Sequence, residues 1–578
     1  SQKILMPSKK EIIKYKEHHK QLRAPFVIYA DFECLNLPCL TADDGSGQLT
    51  KQEPCSFYYT VVRSDGTVTP DSGEIYVGDD AADVLLARLN EEVERINEVL
   101  RNPLPIEISE EDELKFQTEE QECCICDELI SNQEEKVRHH DHITGKYIGP
   151  AHNNCNLKLR LIPGKTKIPV VFHNLKNYDM HLIITAAGST AGMAKMNCIP
   201  NNMEKYLTLG IGQLQFIDSL QFMSASLDTL AANLPDSKKR ITKAHTEPHL
   251  FDLVTKKGVF PYDWLDSFDR FDETAMPPKE AFYSRLTRKH ISDEEYARAQ
   301  TIWEKVGCGS FMDYHDIYLK TDVLLLADVF ENFRDTAMTQ YGLDPANFYT
   351  APGLSWAAML KMTGVELEPL ADINMHLFIE KGLRGGISTV CAKRYSEASP
   401  CLPAVEHHRP GRTQIMYLDA NNLYGYAMCQ ELPHSGFKWL DLDKSSPDGP
   451  LSEGEKILEC QRMIAEPIPG IGHLFEVDLH YPPELHDLHN SYPLAPEAKV
   501  MPMSRMSPYQ LELIKKLNLS SRQGMKLLTT LDDKIKCVVH EEVLKLYLKF
   551  GLKIRRVRRI LHGVQSISLA QAIHRAQY

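Results

Sequence analysis

No apolar run in this chain of 578 residues approaches the roughly 18 residues that a membrane-crossing helix needs. No secretory hydrophobic segment stands near the start, which is Ser1 rather than Met, so the N-terminus reads as that of a fragment. The fourteen cysteines show no disulfide-framework spacing, and reduced thiols with a metal site are expected rather than bridges. Internal repeats are also missing. Together these absences point to an intracellular, reducing compartment, nuclear or cytoplasmic, and to no membrane partner. What is present is ordinary globular composition, 43% hydrophobic and 25% charged. The length suits about three or four domains.

The net charge of −14 argues against a simple nucleic-acid coat, although its distribution matters more than its sum. From Lys534 to Tyr578 ten Lys and Arg stand against only Glu541 and Glu542. The stretch Lys553 to Arg559 suits either a phosphate-tracking surface or a solvated charged face.

Three short acidic motifs carry the chemistry: Asp31-Phe32-Glu33, Asn174 to Asp179, and Tyr318 to Asp322. Phe26 to Ala30 reads as a buried strand that delivers Asp31 and Glu33 at its end, on one face because side chains two apart point the same way. Ile168 to Phe172 reads as a second buried strand, with a helix opening at Asp179. Asp316 to Phe333 reads as a strongly amphipathic helix on which Tyr318 and Asp322, spaced i, i+4, share a face. Four carboxylates and a tyrosine in this arrangement can hold two divalent cations and orient a water for attack on a phosphodiester. Asn174 suits a hydrogen bond to a nucleotide near the scissile bond.

Elsewhere Ser56 to Val68 reads as a hairpin, Ala81 to Leu100 and Ser226 to Asn233 as helices, and Leu214 to Leu220 as a strand. Pro103 to Glu122 reads as an acidic linker. Met416-Tyr417-Leu418 reads as a strand ending in Asp419, residues 440–510 as an irregular insertion with short strands, and Pro508 onward as mostly helical. Cys123 and Cys126, followed by His152 and Cys155, make two soft ligand pairs separated by a loop, the spacing of a structural tetrahedral zinc. Cys124 reads as a bystander.

The order of the acidic motifs resembles the 3′–5′ exonuclease domain of family B DNA polymerases, most closely the protein-primed branch with Maverick/Polinton transposon and related viral and organellar members. The resemblance runs over nearly the whole chain and is densest at residues 314–334 and 351–386. It implies Mg2+ or Mn2+ ligands at Asp31, Glu33, Asp179 and Asp322, and a water-orienting role for Tyr318. It implies contacts to the single-stranded DNA 3′ end from Asn174, Tyr178, Ser219 and Leu220, and a catalytic lysine at Lys257.

Asp419 to Gly425 resembles the first palm motif of the same family. Asp419 would bind both polymerase cations and Tyr424 would stack under the incoming dNTP sugar, with Gly425 standing where proline is usual. Leu383-Arg384-Gly385-Gly386 resembles the template-binding turn, with Leu383 in place of tyrosine. Its glycines allow close backbone approach to a phosphate chain, and Arg384 adds charge. The fingers motif K-x-x-x-N-S-x-Y-G and the D-T-D strand do not follow Asp419 in this sequence. The expectation is therefore a truncated family member that does not polymerise, since one aspartate cannot hold both cations.

The segment around the zinc ligands resembles the recombination endonuclease VII branch of the His-Asn-His nucleases. That resemblance implies His140 as general base and His142 with Asn156 beside a catalytic cation, with His139 where the family usually has Asp. A zinc-stapled DNA-binding knuckle is the alternative.

The expected architecture is multidomain α/β. Residues 1–23 form a peripheral segment, and residues 24–110 and 166–340 a ribonuclease H-like exonuclease domain interrupted by a zinc insertion at 111–165. Residues 341–410 connect to a partial palm and fingers polymerase domain at 411–578. The expected partners are DNA, as a single-stranded 3′ end and as template, dNTP, and a terminal priming protein. The competing expectation is a catalytically degenerate, domesticated transposon remnant that binds DNA or a priming protein.

Overall fold

The structure, a computed structural model, describes residues 5–38, 50–66, 73–118, 121–131, 135–189, 196–202, 205–389, 416–443, 449–518 and 524–566. The chain divides into two compact units, Tyr15–Ala358 and a second formed by Ser1–Lys14 with Met359–Tyr578.

The first unit is built on strands β1 (Phe26–Pro38), β2 (Thr50–Arg63), β3 (Gly73–Val77), β4 (Lys136–His140), β5 (Tyr147–His152), β6 (Ile168–Phe172), β7 (Met196–Pro200), β8 (Tyr206–Ile211) and β9 (Leu214–Asp218). All but β4 and β5 form one seven-stranded sheet in the order β3-β2-β1-β6-β9-β8-β7. The β1–β6 and β6–β9 pairs are parallel and the others antiparallel. Its helices are α1 (Ala81–Arg101), α2 (Glu110–Thr118), α3 (Asn153–Lys158), α4 (Asp179–Ser189), α5 (Leu227–Asn233), α6 (Arg240–Ala244), α7 (Phe251–Val254), α8 (Asp293–Val306) and α9 (Phe311–Tyr341).

Both faces of the central strands are covered, which explains their near-continuous apolar runs. Ile28, Ala30 and Phe32 pack with Val170, Phe172 and Phe216 against Leu85 and Leu89 of α1 and Met180 and Ile183 of α4. Val27 and Tyr29 pack with Val171 and Ile217 against Leu319, Val323, Leu326 and Phe330 of α9. Strand alternation then assigns Asp31 and Glu33 to the α9 face. Helix α9 starts where Asp313 Oδ2 accepts the Gly309 and Ser310 N–H groups at 2.7 and 3.1 Å, and ends at Gly342 in the left-handed region.

The first arm of the hairpin expected at Ser56 to Val68 lies in β2, its return arm at Thr67 and Val68 lies outside the described residues, and β2 pairs antiparallel with β3. The segment expected to be a linker contains α2, because its Glu and Lys residues are good helix formers and Phe116 finds a buried site. Residues 219 and 220, expected to extend β9, instead belong to a 3-10 helix, Ser219–Gln221.

In the second unit, α10 (Ala351–Thr363) carries the division, and α11 (Ile373–Gly382) and α12 (Leu423–Met428) precede an antiparallel sheet in the order β10-β15-β11-β14. Those strands are β10 (Leu432–Leu440), β11 (Ile471–His480), β14 (Lys534–His540) and β15 (Lys553–Ser566); β12 (Glu497–Lys499) and β13 (Lys526–Leu528) pair separately. Helices α13 (Glu453–Ala465), α14 (His486–His489), α15 (Pro508–Lys516) and α16 (Glu541–Lys549) complete the unit.

Three expectations are corrected here. Residues 440–510 are not irregular throughout: they hold a 13-residue capped helix, α13, and one of the strands expected there, Leu474 to Leu479, lies within the 10-residue β11. After Pro508 the described chain holds two long strands, because Ile554, Val557 and Ile560 point into the core with Phe475 and Val477 while the intervening arginines point out. Met416-Tyr417-Leu418 forms no strand. The three side chains are 74–93% exposed, and nothing among the described residues pairs with them as a strand.

The phosphate-tracking role of Lys553 to Arg559 meets a further obstacle. Arg558 forks onto Asp478 at 2.8 and 2.7 Å, and Arg559 bonds Glu476 at 2.8 Å while lying over Phe378 and Trp439. Arg555 and Arg556 pair with Asp533 and Glu453 at 3.3 and 3.7 Å. These arginines neutralise the protein's own carboxylates. Residues 567–578, including Arg575, lie outside the described residues.

Among the described residues, no helix is long and apolar enough to cross a membrane.

Candidate nuclease site

In the middle of β1, which runs on to Pro38 instead of ending at Asp31 as expected, the half-buried Asp31 and buried Glu33 face α9, and Asp179 opens α4. Tyr318 and Asp322 lie one turn apart on α9, both buried. Burial, then the nearby Asp322 carboxylate, pushes Asp31 up to about 7. Burial and Asp31 likewise push Glu33 and Asp179 well above the usual carboxylate range. The electrostatic neighbourhood therefore joins residues from β1, α4 and α9, as the motif order implied.

Lys257 forms an ion pair with Asp322. Burial opposes its charge, but Asp322, Tyr262 and Asp31 hold the ammonium well above the ordinary lysine range. Gly258 makes the approach possible, since a Cβ there would meet Tyr318 Cδ2 at 2.9 Å. The Tyr318 ring stacks on Phe260 with centroids 4.6 Å apart, and its Oη lies 2.6 Å from Tyr262 Oη. Phe260 and Tyr262 are absent from the sequence-level candidates, and no acidic or metal-ligand pattern marks them.

Asn174 sits just past β6 in the left-handed region, φ 69°, and its Oδ1 accepts from Asn177 Nδ2 at 2.8 Å. Tyr178 is half-buried and hydrogen-bonded to the Cys34 thiol. Ser219 is buried, donating to Phe172 O at 3.0 Å, with its Oγ 2.9 Å from His173 Nδ1. Leu220 follows it in the same turn.

The insertion is a β4–β5 hairpin followed by α3. Ligand atoms of Cys123, Cys126, His152 and Cys155 all lie within 4.8 Å of one another. Cys126 Sγ is 3.5 Å from His152 Nδ1. Burial alone would raise the Cys123 thiol, but backbone N–H groups of His152, Ile125 and Cys126 bring it down to about 7, toward the thiolate a zinc ion needs. The exposed Cys124 stands outside this group. Among the described residues the quartet is the one such convergence of His, Cys, Asp or Glu; the β1–α4–α9 carboxylates are more widely spaced.

His140 and His142 rings lie 4.5 Å apart beside a cavity of about 240 Å3 also lined by Arg23 and Ser64. Asn156 Oδ1 is bonded at 2.8 Å to Nδ1 of the buried His139.

Asp419, Tyr424, Arg384, Gly385 and Gly386 belong to the second unit. Tyr424 is 83% exposed, and Asp419 lies in the segment that forms no strand. Gly425 N–H donates to Asn422 Oδ1 at 3.1 Å, and a Cβ on Gly425 would meet that side chain at 2.3 Å, so glycine rather than proline suits this cap. Arg384 donates to Pro496 O and Val538 O at 3.0 and 2.9 Å, which turns its guanidinium into the fold. An added Cβ at Gly385 or Gly386 would meet nothing within 4 Å.

Two solved structures of Phi29 DNA polymerase, one with primer-template DNA and one with single-stranded DNA, align with 95% of this chain at 12% identity and a TM-score of 0.37. The chain spans 62% and 63% of their lengths. A search of curated proteins finds no match. Residues 163–447, a span that includes Asn174 and Tyr424, match the family described as DNA polymerase type B, organellar and viral. Over those residues, just under half of the chain, the sequence is similar to that polymerase family.

Proposed function

We propose that Tyr15–Ala358 is a 3′–5′ exonuclease that removes nucleotides from a single-stranded DNA end, the proofreading part of a protein-primed polymerase. The observation that carries this reading is a buried carboxylate group with orphaned oxygens. Asp179 Oδ1 and Asp322 Oδ1 are buried without a hydrogen-bond partner. A buried polar atom without a partner is costly, and a divalent cation would satisfy it. The all-oxygen donor set suits Mg2+ or Mn2+.

Asp31, Glu33, Asp179 and Asp322 would hold the cations, which when bound supply an activated water and neutralise phosphate charge. The protein's own groups provide orientation. Burial holds the Tyr318 hydroxyl well above the usual tyrosine range, so it stays protonated and acts as a hydrogen-bonding group rather than a base. Tyr262 fixes its direction. The Lys257 ammonium adds a positive charge beside Asp322 that favours an approaching phosphate. The Asn174 side chain, steadied through its oxygen by Asn177, presents its amide nitrogen as a donor to a nucleotide.

In the second unit, Asp419 and Tyr424 are the candidate polymerase residues, for cation and dNTP sugar respectively. Gly385 and Gly386, with open space around them, are candidates for close approach by a template backbone. The insertion is a structural zinc site. For the insertion a second reading, a degenerate element that binds DNA or a priming protein without cutting, has its own support. The His139–Asn156 bond engages the oxygen that the nuclease arrangement would offer a cation.

The test uses purified chain with 5′-labelled single-stranded DNA and Mg2+ or Mn2+. Stepwise 3′ shortening is expected, and loss of it in the Asp31→Ala, Glu33→Ala double variant. Absence of shortening in the wild type, or shortening that survives the double substitution, refutes the assignment.

A further inference from the structure

Asp218 ends β9 and is completely buried. Its Oδ1 accepts the backbone N–H of Asn174 at 2.9 Å and of Leu220 at 3.0 Å, and its Oδ2 accepts the N–H of Lys176 at 3.1 Å. One side chain therefore ties down two separate segments, the loop that follows β6 and the turn that follows β9. The two strands are parallel neighbours with Phe172 beside Asp218, so both segments leave the same end of the sheet.

Each segment has its own turn bonds, Asn177 N–H to Asn174 O at 3.1 Å and Phe222 N–H to Ser219 O at 3.1 Å, and Asp218 adds the bonds that join them. Asn174 sits at φ 69° and ψ 22°, a conformation uncommon for a residue other than glycine. The 3-10 turn Leu175–Asn177 begins with N–H groups that have no partner within the turn. The carboxylate satisfies two of the N–H groups in this loop and one in the other turn. Ser219 adds its bond to Phe172 O and its approach to His173 Nδ1 at the same junction.

We infer that Asp218 is a positioning residue of the exonuclease: it locks Asn174 and the Ser219-Leu220 pair into one rigid cradle for the 3′-terminal nucleotides of a single strand. The inference rests on the exonuclease reading above. Three donors converge on the two oxygens, so the position calls for an acceptor-only group. Asparagine would turn an NH2 toward at least one N–H.

The test is steady-state cleavage of 5′-labelled single-stranded DNA by the wild type, Asp218→Asn and Asp218→Ser. Loss of a charge-assisted bond at a ground-state contact predicts a KM raised about tenfold in Asp218→Asn, with kcat changed far less. Asp218→Ser, whose single shorter acceptor cannot hold both segments, should raise KM at least as far, and serves if the asparagine variant does not fold. Amide exchange on the wild type reads the cradle directly, with the Asn174, Lys176 and Leu220 N–H groups expected to be protected. An unchanged KM in a folded variant, a loss confined to kcat, or fast exchange at those amides overturns the inference. An inactive wild type overturns the exonuclease reading and this inference together, whereas an active wild type with an unaffected variant overturns this inference alone.

Discussion

Tyr262 Oη and Tyr318 Oη lie 2.6 Å apart, and the two tyrosines come from a loop and from α9, 56 positions away. Because Tyr318 is buried against Phe260 and cannot rotate freely, the Tyr262 bond decides which way its hydroxyl points. Tyr262→Phe removes that bond while keeping the ring. A neutral hydrogen bond contributes about 1 kcal/mol, so 3′ shortening should slow about fivefold. Tyr318→Phe should slow it more, since it removes the hydroxyl itself. Single-turnover cleavage of labelled single-stranded DNA by both variants checks the order, and a Tyr262→Phe rate equal to wild type contradicts it.

The carboxylate group predicts a pH dependence of stability. Burial and Asp322 raise Asp31 from an ordinary 3.8 to about 7 in the folded protein. The unfolded chain releases this proton first, so the stabilisation is fully present below 3.8 and is lost as pH rises through about 7. In a chelator, thermal melts should show Asp31→Asn with a shallower decline than wild type across that window. Mg2+ should raise the wild-type midpoint most at the alkaline end, where the carboxylates are ionised and able to bind it. Parallel wild-type and Asp31→Asn curves in chelator would exclude this electrostatic origin.

The parts of this arrangement visible in the sequence are those whose physics is local. The apolar run before Asp31 marks a strand covered on both faces, and the i, i+4 pair of Tyr318 and Asp322 marks one face of a long helix. The zinc quartet is legible because soft ligands in two close pairs have few other uses. What stayed hidden depends on distant partners. β15 is rich in arginine and resembles a charged helix until Asp478 and Glu476, about 80 residues earlier, are seen to accept Arg558 and Arg559. Tyr262 and Phe260 carry no motif, and Asp218 stands next to the Ser219-Leu220 pair with nothing local to mark its own role, since these roles exist only once α9 and the β6 loop fold against them. The Met416 to Leu418 strand was the opposite case, a suitable local composition without a strand to pair with among the described residues.

The zinc quartet predicts binding of one zinc per chain by Cys123, Cys126, His152 and Cys155. Cobalt-loaded protein should show thiolate-to-metal charge-transfer absorption. Cys126→Ser or Cys155→Ser should weaken that absorption and expose the β4–β5 hairpin to proteolysis. Cys124→Ser should do neither, because its exposed thiol is outside the group. If Cys124→Ser alone abolishes the absorption, the ligand set is misassigned. Strong chelation should loosen the insertion in the same way as loss of a ligand, since structural zinc sites contribute folding energy directly.

Arg334 and Asp344 make the last prediction, which concerns how α9 is held against β1. Both side chains are fully buried, and the guanidinium donates to Asp344 at 2.9 and 2.7 Å, to Glu331 at 2.5 Å and to Ala24 O at 3.1 Å. Asp344 also accepts the Ala24 N–H at 2.7 Å, two residues before β1 begins. Arg334 draws the Asp344 carboxyl below its ordinary value against the effect of burial, so this pair stabilises above the ordinary carboxylate range and loses that contribution on acidification. Arg334→Met leaves Asp344 buried without its cation, while Glu331 keeps Arg23 at 2.7 Å, and the stranded Asp344 charge costs about 3–5 kcal/mol. Asp344→Asn should cost less, because it keeps hydrogen-bonding capacity while removing the charge. Urea unfolding at neutral pH measures both, with a decrease in midpoint larger for Arg334→Met expected. The same variants should cleave single-stranded DNA more slowly even where they remain folded, since releasing this end of α9 frees Asp322 to shift relative to Asp31. A folded Arg334→Met variant of wild-type stability and rate would show that the network holds neither the fold nor the site.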